Sequence, residues 1–115
     1  MAVQASCAAP HWPADGAALT AAIKDGAIHL TWKRAVGGEI IGYDIYRAED
    51  DGHAGVVEAV KAPKFTDRVV LGGLGYTYHV MGYDKSGRHT APSNTVVVQM
   101  PFPDFKSTNM ENSDA

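Results

Sequence analysis

Five histidines, one cysteine and a short acidic run are the residues of this chain whose chemistry could reach beyond packing. His29 and His79 sit in alternating, strand-like segments; His11, His53 and His89 sit before or between such segments. Zinc ligands recur at i, i+4 or C-x2-C type spacing. No histidine pair shows it, so these are expected to be solvated surface groups and no metal is implied. Glu49-Asp50-Asp51-Gly52 gathers three carboxylates on a turn. Calcium takes six to eight oxygens, more than such a turn supplies, so the run reads as an acidic hairpin turn. Asp84, Ser86 and His89 put a carboxylate, a hydroxyl and an imidazole in one loop. Acyl transfer also needs an oxyanion hole and a pocket, and this loop promises neither. The glycines of LGGLG (71–75) do not open a helix after a strand, so they are not a phosphate loop. The expectation is a non-enzyme with no cofactor.

What remains is a chain built to fold and to touch something. Its 115 residues allow one domain, and 45% hydrophobic residues suffice for one modest core. A net charge of −3 gives no basic stripe, which excludes the electrostatic footprint of a nucleic-acid binder. With one cysteine, Cys7, no disulfide can close within the chain. Its state (lipidated, free or paired between chains) is left open. Val3-Gln4-Ala5 has the small-residue spacing of a signal-peptidase site, and Ala5-Ser6-Cys7 is loosely like the end of a lipoprotein signal. No apolar stretch precedes either, so an ordinary flexible start is expected. No apolar run is long enough to span a bilayer.

The positioning elements follow from period-2 alternation. Strands are predicted at 19–23, 27–33, 40–47, 56–60, 64–67, 76–84 and 94–100. Asp25-Gly26 is a hairpin signal between the first two. In AIHLTWK, Ile28, Leu30 and Trp32 share one face. In IIGYDIYR, Ile41, Tyr43 and Ile45 face one way, and Ile40, Asp44 and Tyr46 the other. In YTYHVMGYD, Tyr76, Tyr78, Val80 and Gly82 face inward. No helix of useful length is visible. The fold class is all-β, a seven-stranded antiparallel β-sandwich. The expected organisation is an extended arm over 1–17, the domain over 18–101 and a flexible tail over 102–115.

Four pieces of this pattern carry a family resemblance: IHLTW, IIGYDIYR, YTYHVMGYD and DKSGRHTAPSNTVVV. In order and spacing the chain resembles fibronectin type III domains, particularly those appended to bacterial secreted proteins, from about Pro10 to Pro101. The resemblance implies an immunoglobulin-like sandwich with Trp32 as the core tryptophan. Tyr43 and Ile45 become an inward pair, and Tyr76 a tyrosine corner bonded to backbone. Gly82 stands where the family commonly has alanine, leaving a gap or letting a neighbour approach. Ser86-Gly87-Arg88-His89 replaces the integrin-binding tripeptide of some relatives, so that activity does not carry over. An extracellular or periplasmic site, with surface attachment as a variant, is also implied.

One surface is more apolar than alternation onto solvent requires. Ile40, Tyr46, His79, Met81, Tyr83 and Val97 are expected to share an outward face, and exposed apolar patches mark contact surfaces. Trp12, Phe102 and Phe105 are expected as docking residues in the terminal segments. The expected function is therefore a module for protein–protein interaction or structural assembly, with a protein partner, the same chain or another. The alternative is a spacer or weak carbohydrate binder in a secreted polysaccharide-degrading enzyme.

Overall fold

The computed structural model describes residues 8–50 and 52–102. Cys7, Asp51 and Phe105, with the signal-like segment 1–7, lie outside the described residues. Among the described residues there are seven strands: β1 (Thr20–Lys24), β2 (Ala27–Thr31), β3 (Ile40–Glu49), β4 (Gly55–Val60), β5 (Lys64–Asp67), β6 (Gly75–Asp84) and β7 (Val96–Gln99). All pairings are antiparallel, in a three-stranded sheet β1-β2-β5 and a four-stranded sheet β4-β3-β6-β7. Among the described residues no helix is long and apolar enough to cross a membrane.

The β1–β2 hairpin turns at Asp25-Gly26, with φ of 55° and 74°. Two consecutive positive φ values match the right-handed twist of the strands, which is why Asp-Gly is favoured there. β2 and β5 then cover β3 and β6 face to face. Between the sheets lie Leu19, Ile28, Leu30, Trp32, Tyr43, Ile45, Tyr76, Tyr78, Val80, Val98 and Met100. Each such side chain contributes about 1.5–3 kcal/mol when fully removed from water.

Alternation fails at the start of β3. The register against β6 shifts between Ile40 and Gly42. A bulge of this kind inserts one residue and flips the side-chain parity on one flank. Ile40 consequently packs on the core, whereas Ile41 is 43% exposed. The expected placement of Ile40 on the outer face, with Ile41 inside, is thereby corrected.

The segment before β1 is also different from a free arm. Pro10 and Ala17 are buried. His11 and Val36 exchange two backbone hydrogen bonds of 2.8 Å, and Lys33 N–H donates to Ala17 O at 2.7 Å. The chain can lie so close because Gly37, at φ 82°, has no side chain: a Cβ there would sit 2.6 Å from Ala9 O.

Tyr76 forms the expected corner, its hydroxyl accepting from Leu71 N–H at 2.8 Å. Tyr43 Oη accepts from Ala35 N–H at 3.0 Å. The Trp32 ring meets Tyr43 edge-on at 5.4 Å. Its indole nitrogen is buried without a hydrogen-bond partner among the described residues, contrary to the expectation that buried polar atoms are satisfied.

Candidate functional site

The outer face of the four-stranded sheet is built by cross-strand pairs. β3 and β6 set Tyr46 opposite His79, Asp44 opposite Met81 and Gly42 opposite Tyr83. Directly opposed side chains on one face touch. The Tyr46 and His79 rings stack at 4.6 Å, 5° from parallel. The Tyr83 ring lies over Gly42, where a Cβ would meet the phenolic oxygen at 2.4 Å. An aromatic side chain laid across a strand glycine shields the backbone it covers. His89 bridges to Tyr83, and its Nε2 lies 3.4 Å from Asp44 Oδ2, an ion pair when the imidazole is protonated. Val97 on β7, opposite Thr77, is 77% exposed. The sheet therefore gathers Tyr46, His79, Met81 and Tyr83 into one half-buried strip, with Val97 protruding beside it. Burial lowers the His79 pKa from its ordinary value, so the strip carries a neutral imidazole near neutral pH.

The other expected docking residues divide. Trp12 is engaged within its own domain: it stacks on Tyr43 at 6.1 Å, and its Nε1 donates to Ala91 O at 2.8 Å. Phe102 is 79% exposed, and its ring leans on Gly73.

The β6–β7 loop is organised by one carboxylate. Asp84 Oδ1 accepts from the Ser86 and Arg88 backbone N–H groups and from the Ser86 hydroxyl; Oδ2 accepts from Arg88 Nε. Burial alone would raise the Asp84 pKa. The hydrogen bonds from Arg88 and Ser86, with the Arg88 charge, hold it below the usual carboxylate range. Ser86 thus faces Asp84, while His89 faces Asp44, so the two do not form a nucleophile–base pair. In the acidic turn, Asp50 accepts from Gly75 N–H at 3.1 Å.

A buried polar cluster escaped the sequence reading. Asp67 is 3% exposed at the end of β5. It accepts from the Tyr78 hydroxyl at 2.6 Å and from Arg47 Nη1 at 2.9 Å, and its other oxygen takes Val69 N–H. Burial, then the hydrogen bond and charge of Asp67, push the Tyr78 pKa far up. Burial would lower the Arg47 pKa, but Asp67, with smaller contributions from Tyr78 and Glu49, raises it on balance. The cluster ties β5 to β3 and β6 across the sandwich, which is a structural role.

No family model matches the chain. A curated relative, an amylopullulanase from Thermoanaerobacter thermohydrosulfuricus, is 32% identical over 94 residues, which cover 80% of this chain and 6% of that protein. The chain thus spans a small fraction of the curated relative it matches. Among solved structures, an Fn3-like protein from Clostridium thermocellum superposes with a TM-score of 0.63 at 23% identity, over 87% of this chain and 98% of that one. A pectate lyase, PelI from Erwinia chrysanthemi, solved with tetragalacturonic acid, gives a TM-score of 0.61 at 20% identity, over 70% of this chain and 27% of that one. With two antiparallel sheets ordered β1-β2-β5 and β4-β3-β6-β7, the chain has the fibronectin type III fold.

Proposed function

We propose that this chain is a non-catalytic module that makes protein–protein contact through the outer face of β3 and β6, as a part of a larger assembly. The observation that carries the reading is the strip of Tyr46, His79, Met81 and Tyr83, with Val97 beside it. Tyrosine and methionine are enriched in contact cores, and charged residues are depleted there. A neutral His79 fits such a surface.

The second reading, a spacer or weak carbohydrate binder, is favoured by the match to an amylopullulanase and by the likeness to a pectate lyase. The match to an amylopullulanase and the likeness to a pectate lyase support an extracellular or periplasmic site for either role. The geometry favours protein contact over sugar binding. Each ring of the Tyr46–His79 stack covers one face of the other, whereas a sugar platform needs free aromatic faces. Affinity electrophoresis through gels containing pullulan, starch or pectin separates the two. The chain is expected to run unretarded. Retardation that disappears in Tyr46→Ala or Tyr83→Ala would overturn the protein-contact reading.

A further inference from the structure

The two sheets leave four edge strands: β1, β5, β4 and β7. Exposed edges present unpaired backbone groups and are ordinarily blunted with charge, proline or a bulge. β1 carries Lys24, β5 carries Lys64 and Asp67, and β4 carries Glu58 beside a register shift. β7 reads Val96-Val97-Val98-Gln99 and carries none of these devices.

The direction of its free groups follows from the ladder. Met100 N–H donates to Leu74 O at 2.9 Å. Antiparallel pairing alternates, so Val98 and Val96 direct their backbone groups at β6, and Val97 and Gln99 direct theirs away. Among the described residues no further hydrogen bond engages the Val97 backbone. The edge is also accessible. Asn94 ties the start of β1 to the approach of β7 through both its amide atoms on Leu19. Past that tie an open cleft runs between the strands, lined by Ala21, Ile23 and Val96–Gln99.

We infer that the β7 edge pairs antiparallel with the β7 edge of a second copy of this chain. A two-fold contact needs a self-complementary patch. An uncharged valine run meets that need without like-charge repulsion. The register follows from the geometry. Val97 and its counterpart form the central pair and exchange two N–H···O=C bonds, and the two four-stranded sheets become one of eight. Ile23 then lies beside the joined strands. The edge is short, so a weak, concentration-dependent dimer is expected. This goes beyond the outer-face reading and fails separately from it, because an edge dimer leaves Tyr46, His79 and Met81 uncovered.

Sedimentation equilibrium of the full chain tests it, with amide hydrogen exchange followed by NMR across the same concentrations up to the millimolar range. The wild type should dimerise as concentration rises, and the Val97 amide should become protected in step. Val97→Pro removes the N–H that points away from β6, and Val97→Lys adds a charge to the edge. Each should raise the dimer Kd about tenfold or more, with thermal melting of the dilute monomer unchanged. A wild type that stays monomeric throughout would overturn the proposal. So would a dimer whose Val97 amide still exchanges freely, or undiminished dimerisation of a folded Val97→Lys.

Discussion

His79 lies flat against Tyr46 across the β3–β6 pair, 4.6 Å between ring centroids and 5° from parallel. The contact covers one side of an imidazole that burial already disfavours charging. Its folded-state pKa lies below the ordinary 6.5, so below that value the unfolded chain binds a proton that the folded one resists. Stability from this group is full above pH 6.5 and declines as the pH falls through it. Thermal melts of wild type and His79→Phe should diverge in slope between about pH 7 and pH 5, the variant losing less on acidification. Parallel slopes would show that His79 does not titrate against burial.

The Asp67 cluster gives a second outcome. Tyr78→Phe removes the donor to a buried carboxylate and should cost about 1.5–3 kcal/mol, the range for hydrogen bonds to charged groups. Asp67→Ala leaves the Arg47 guanidinium and the Tyr78 hydroxyl without their partner. That should cost more, about 3–5 kcal/mol. Urea melts measure both. If Asp67→Ala costs less than Tyr78→Phe, the carboxylate is not the hub.

The aromatic column Trp12–Tyr43–Trp32 predicts a graded series. Trp32→Ala should cost about 3–5 kcal/mol as a buried large-to-small change. Half-buried Trp12 should cost less on replacement by alanine, about 2 kcal/mol. Tyr76→Phe should lose one hydrogen bond to Leu71, about 0.5–1.5 kcal/mol. A Trp12→Ala chain as stable as wild type would return residues 8–17 to the status of a free arm.

Gly82 tests close packing. A Cβ added there would stand 3.3 Å from Ala35 Cβ and from the Tyr43 ring. The missing methyl is thus the space into which Tyr43 has moved, so of the two outcomes expected at this position the neighbour's approach is the one found. Gly82→Ala should destabilise by about 1–3 kcal/mol, the cost of overpacking. A stabilised variant in a urea melt would mean that Tyr43 yields freely.

The Asp84 loop should respond to acid at a lower pH than His79. Its carboxyl is held below the ordinary 3.8 by Arg88 and Ser86 against the effect of burial. The stability it supplies is full above that value and is lost as pH falls below it. Asp84→Asn should flatten the acid limb of the stability profile below pH 4 and loosen the loop at Arg88. An unchanged acid limb would contradict this.

Alternation made the interior legible wherever strands run regularly. Ile28, Leu30 and Trp32 on one side, and Tyr76, Tyr78 and Val80 on the other, are inside because period 2 is the geometry of a strand. It could not show the bulge at Ile41, since an inserted residue leaves the string of residue types unaltered while reversing parity, and Ile40 was misplaced for that reason. Trp12 was hidden differently. It precedes a proline in a stretch with no period, and what seats it is a tertiary stack on Tyr43. Nothing in the strand-like KFTD segment marks Asp67 as a buried hub, because its partners Arg47 and Tyr78 are distant in sequence. The outer strip was legible as composition. Its internal order, the Tyr46–His79 stack and Tyr83 over Gly42, depends on register.

Photocrosslinking in the native cells tests the contact face most directly. A photoreactive phenylalanine analogue is placed at Met81, and in a control at Thr31, which is exposed on the opposite sheet. Met81 should yield a discrete adduct of one mass that is lost when Tyr46→Asp is added, and Thr31 should yield none. No adduct from Met81, or the same adduct from Thr31, would contradict a contact surface on the β3–β6 face.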